Sequence, residues 1–78
     1  MSTEIFKTDM VELFQINRPY YVMGDTQSIE KDIETDTLTH SHYEDIFYFA
    51  LMNKSFIKEG DFLQMRDLWY RIQKENVF

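Results

Sequence analysis

The sequence predicts a small, mostly α domain spanning residues 1–78, with three main helices near 3–16, 42–54 and 61–75. Three observations carry this. Apolar residues recur at three- and four-residue spacing in each of those windows. Breakers are scarce, with two Gly and one Pro in the chain. A helix-start signature, "SHYE", stands one residue before the longest apolar run, "IFYFALM". An α+β version of the domain adds one short β-hairpin, from strands 20–23 and 29–34.

In residues 3–16, "TEIFKTDMVELFQI", Phe6, Met10, Leu13 and Phe14 form one helical stripe with Ile5 beside it. Thr3 is placed to cap the start, and Asn17 followed by Pro19 to stop the helix. "PYYVMGD" then reads as extended, because Pro19 forbids continuation and Tyr20, Tyr21 and Val22 favour strand. Gly24-Asp25 marks a turn.

The segment after that turn admits two readings. As a helix, "SIEKDIETD" buries Ile29 and Ile33 four apart, but it sets Glu30 against Glu34 and Asp32 against Asp36. Each like-charged pair costs roughly 0.2–0.5 kcal/mol. As a strand, Ile29, Ile33, Thr35, Thr37 and Thr39 share one face and the four acids share the other. The carboxylates would then recur at roughly 6.6–6.8 Å, on the scale of phosphate spacing in DNA.

Ser41 as N-cap and Glu44 reaching back to its amide begin the next helix. That helix turns Tyr43, Ile46, Phe47, Ala50 and Leu51 inward, with Phe49 and Met52 widening the arc. "NKSFIKEG" connects it to the last helix. From Asp61, Phe62, Met65, Leu68, Trp69 and Ile72 face inward, and Arg66, Asp67, Arg71 and Lys74 outward.

Seventy-eight residues offer a single core with a margin of a few kcal/mol. With no cysteine, neither disulfides nor thiolate zinc can reinforce it. Aromatic bulk is the visible substitute: seven Phe, five Tyr and one Trp. The N-terminus lacks the basic and apolar blocks of a secretory signal, and no apolar run approaches the ~20 residues of a membrane span. The expectation is a soluble, cytoplasmic protein with no membrane association.

The net charge of −6 lies in one place. Residues 25–45 hold Asp25, Glu30, Asp32, Glu34, Asp36, Glu44 and Asp45 against Lys31 alone, and the remainder of the chain balances. Such a field repels nucleic acid and anionic membrane and attracts a basic protein surface. Direct nucleic-acid binding is therefore not expected.

Catalytic parts are missing. There is no cysteine, no Gly-rich phosphate loop, and the serines sit at caps and turns. His40 and His42, with Glu44 or Asp45, are the one arrangement resembling a metal site, but the helix start explains the same residues without a metal. No cofactor and no enzymatic activity are expected. The expected function is capture of a protein partner with a basic surface. Glu30, Asp32, Glu34, Asp36, Glu44 and Asp45 are the electrostatic contacts, and Tyr20 and Tyr21 the apolar anchors. One specific form is an inhibitor that mimics nucleic acid in the basic groove of a nucleic-acid-binding protein. The alternative is a structural or assembly protein acting as a helical homo-oligomer.

Overall fold

The computed structural model describes residues 4–75, and within them the chain forms four α-helices and no strand. These are α1 (Glu4–Asn17), α2 (Gln27–Glu34), α3 (His40–Met52) and α4 (Glu59–Glu75), with a 3₁₀ turn at Arg18–Tyr20. The three expected helices are present within a few residues of their expected ends. The expected count of about three is corrected to four, because the acidic segment is a helix of its own. The hairpin of the α+β version does not form. Thr3, expected as a cap, lies outside the described residues.

Helices α1, α3 and α4 pack against one another, and α2 lies at the edge of that bundle. The shared core holds Met10 and Phe14 from α1, Ile46, Phe47 and Ala50 from α3, and Phe62, Met65, Leu68, Trp69 and Ile72 from α4. Aromatic rings fill its centre. Phe47 stacks between Phe62 and Trp69, with each pair of centroids 6.2 Å apart. Such pairs are worth ~0.5–1.5 kcal/mol beyond the area they bury. Leu51, expected on the inner face of α3, is instead 42% exposed.

Two asparagines do what apolar packing cannot. Asn17, fully buried at the end of α1, donates from Nδ2 to the Leu13 carbonyl at 2.9 Å and to Asp61 Oδ2 at 3.1 Å. It thus ends α1 and ties it to the first turn of α4. Asn53, buried just past α3, bonds the backbone of Met23. This holds the 21–26 connection beside α3. Gly24 lies in that connection at φ +89°, where a Cβ would stand 2.8 Å from the Phe49 ring. The turn expected at Gly24-Asp25 therefore depends on glycine for both backbone and space.

The start of α3 differs from its expectation. The N-cap is Thr39, not Ser41, and the residue reaching back is His42, not Glu44. His42 Nδ1 accepts the Thr39 backbone N–H at 2.9 Å. The helix end is shifted two residues upstream because an imidazole supplies the acceptor. Among the described residues, no helix is long and apolar enough to cross a membrane.

Candidate partner-binding groove

The acidic segment becomes a helix through contacts that its own sequence does not display. Asp25 Oδ1 accepts the Gln27 amide at 3.0 Å and launches α2. Ile29 is buried, contributing ~1.5–3 kcal/mol, which outweighs one like-charged pair. Glu30 is neutralised from outside the helix: Arg18, in the 3₁₀ turn, donates to Oε1, and the Thr26 hydroxyl donates to Oε2 at 2.7 Å. The Thr26 hydroxyl, then the Arg18 guanidinium, hold its carboxyl below the usual 4.5. The second like-charged pair never forms, because the helix stops at Glu34.

That stop is a Schellman motif. The Thr37 amide donates to the Asp32 carbonyl at 3.0 Å and the Asp36 amide to the Ile33 carbonyl at 3.2 Å. Asp36 occupies the left-handed position at φ +56°, where glycine or asparagine is the usual choice. A carboxylate here is doubly unfavourable, for the backbone and for its place at the negative end of the helix dipole.

With α2 helical, its acids divide between two sides. Glu30 and Glu34 border an open cleft of about 450 Å³ with Gln15, Arg18 and Ile33. Asp36 borders a second cleft of about 340 Å³ with Glu4, Lys7, Glu12 and Tyr43, floored by Val11, Ile33 and Leu38. Gln15 and Ile33 line both, so the two run together as one groove between α1 and α2. Five carboxylates line it against Lys7 and Arg18. Both cations are engaged, Arg18 with Glu30 and Lys7 5.5 Å above the Tyr43 ring. The field of this groove is felt by Tyr43: burial, then Glu4 and Asp36, push its hydroxyl above the usual 10.0.

Asp32 turns the other way. Its Oδ2 lies 2.6 Å from His42 Nε2. Because Nδ1 of that ring accepts a backbone N–H, Nε2 carries the proton and donates to Asp32. The pair fastens α2 to the start of α3. Glu44 and Asp45 lie on α3, outside the groove. Tyr20 is half exposed, while Tyr21 packs edge-on against Phe14 at 5.3 Å and points its hydroxyl toward Met65 Sδ at 3.8 Å. Of the two expected anchors, only Tyr20 therefore presents a free face. The regular row of four carboxylates requires an extended chain, and the helix does not form it.

His40 lies over Trp69 with ring centroids 5.3 Å apart, while His42 is bound to Thr39 and Asp32. The two imidazoles therefore have separate partners. Among the described residues, no group of three or more His, Asp or Glu side chains is placed to hold a metal ion. Glu4 and Glu12 are groove carboxylates that the sequence did not single out. Both are exposed acids of an amphipathic helix, and only the placement of α2 beside α1 makes them part of a groove.

Comparison with protein-family models, with curated proteins and with solved structures finds no match to this chain.

Proposed function

We propose that the protein is a non-catalytic binding protein whose acidic α1–α2 groove receives a basic segment of another protein. The observation that carries this is Asp36. A carboxylate stands at a left-handed helix end, a position that favours glycine or asparagine, and it lines a groove already rich in acid. The apolar floor of Val11, Ile33 and Leu38 gives such a segment something to bury, and Glu12, Glu34 and Asp36 meet its Lys or Arg side chains. A protein whose basic groove serves nucleic acid is one partner with this chemistry. In that form the protein is an inhibitor, acting by irregularly placed carboxylates rather than by a phosphate-like row.

The test uses the combined variant Glu12→Gln, Glu34→Gln, Asp36→Asn, which leaves the Arg18–Glu30 and Asp32–His42 ties in place. A Lys/Arg-rich extended peptide is titrated into the wild type and the variant, with backbone amides followed by NMR. Binding to the wild type should shift amides near Val11, Ile33 and Leu38. It should weaken roughly tenfold in the variant, and fall in 1 M salt, where screening acts over about 3 Å. Equal binding by the two proteins would remove the proposal.

A further inference from the structure

A second surface lies on the outer side of α3. Leu51 and Met52 lie three and four residues after Tyr48, along the face turned away from the core. Val22 and Met23 lie alongside. The Met23 backbone is bonded to Asn53, and a Cβ on the neighbouring Gly24 would be 3.1 Å from Met52 Cε. All five are open to solvent, from 42% for Leu51 to 69% for Val22. The bundle does not need them, since the opposite side of α3 supplies its core contacts through Tyr43, Ile46, Phe47 and Ala50. Contiguous apolar surface of this kind marks an interaction site more often than chance exposure.

The charges bordering it choose the occupant. Glu44 and Asp45 stand one turn before Tyr48 on the same outer face, and Asp25 follows the loop. The nearest cation along the chain, Lys54, has its Nζ 5.5 Å above the Phe62 ring, on the α4 side. The surface is therefore apolar at the centre and acidic at its border. Anionic membrane and nucleic acid are repelled by it. A second copy of this chain would bring the same acids. We infer that the outer face of α3, with the 22–23 loop, docks a basic amphipathic helix of a partner protein. Apolar anchors would seat on Met23, Tyr48 and Met52, and Lys or Arg side chains would meet Glu44 and Asp45. The two methionines suit this role, because an unbranched thioether adapts to differently shaped anchors. This surface is separate from the α1–α2 groove and does not depend on it.

The test titrates a synthetic Leu/Lys amphipathic helix, with a Leu/Glu helix of equal length as control, into wild type and Tyr48→Gln/Met52→Gln protein. Both substitutions are on the solvent side of α3, and circular dichroism checks that the variant is folded. The Leu/Lys helix should shift amides in residues 22–23 and 44–52, bind roughly tenfold more weakly to the variant, and outcompete the Leu/Glu helix. Four results would overturn the inference. They are no binding, equal binding of the Leu/Glu helix, shifts confined to the groove around Val11 and Ile33, and sedimentation of the free protein as a dimer that the variant dissociates. The third would leave the groove proposal standing, and the combined groove variant tests that proposal separately.

Discussion

The side chain of Asn53 holds both backbone polar groups of Met23. Its Oδ1 accepts the Met23 amide at 2.7 Å, and its Nδ2 donates to the Met23 carbonyl at 2.9 Å and to the Phe49 carbonyl at the same distance. One buried amide thus imitates the edge of a strand and fastens the 21–26 connection to the end of α3. Only an amide offers an acceptor and two donors in this arrangement. Asn53→Ala should cost about 1–3 kcal/mol in chemical denaturation. Asn53→Asp should cost more at neutral pH, because it turns a buried carboxylate toward two carbonyl oxygens. If Asp were as stable as Asn there, the donor role of Nδ2 would be wrong.

The Asp32–His42 pair should govern how firmly α2 is held. His42→Ala removes the acceptor of the Thr39 amide and the donor to Asp32, and should destabilise the protein by about 1–2 kcal/mol. Glutamine is an ordinary residue at the third position of a capping box and retains both an acceptor and a donor, so His42→Gln should recover much of that loss. Native-state hydrogen exchange should show faster exchange of the α2 amides in the alanine variant. Unchanged α2 protection would mean that Ile29 and Glu30 suffice to hold the helix.

Asp36 is expected to be a residue whose replacement stabilises. Asp36→Gly relieves a left-handed Cβ and removes an anion from the negative end of α2. A gain of about 0.5–1.5 kcal/mol in denaturation follows. A loss of stability instead would show that the carboxylate serves the fold, and would withdraw the main support for the groove.

Alkaline pH should unfold the protein through two tyrosines. Burial, then Asp61, push the Tyr21 hydroxyl well above its usual 10.0, and burial with Glu4 and Asp36 raises Tyr43. The unfolded chain therefore ionises first. Stability is fully present below about pH 10 and declines as pH rises toward the folded-state values. Tyr21→Phe should flatten the fall of melting temperature above pH 10 while changing it little at neutral pH. A slope equal to that of the wild type would sink the assignment.

Much of the fold is legible in the chain because helical periodicity is a local property. Phe6, Met10 and Phe14, or Phe62, Met65, Trp69 and Ile72, fall on one side of a helix whatever surrounds them. Boundaries were less legible where two residues competed for one role. Ser41 and Thr39 both offer a cap, each with a reciprocal partner three residues on. Thr39 is the residue used, and its partner His42 also finds Asp32, ten residues away in sequence. Asn17 and Asn53 read as ordinary polar residues at helix ends. Their buried bonds exist only once Asp61 and Met23 have been brought to them.

By itself, the sequence determined that this is a helical domain with an aromatic core and with all its excess charge in residues 25–45. Periodicity and charge are written along the chain and need no knowledge of distant contacts. Tertiary structure decided what the acidic segment becomes. Taken locally, the repulsion of Glu30 and Glu34 was set against the burial of Ile29 and Ile33, and the pattern admitted both strand and helix. Arg18 cancels one of those charges from another element, His42 takes up Asp32, and the left-handed Asp36 ends the helix before a second repulsive pair can form. Forces of a few tenths of a kcal/mol within the segment were thus overruled by contacts made across the fold. Those contacts also moved the acids from one imagined row to the two sides of α2.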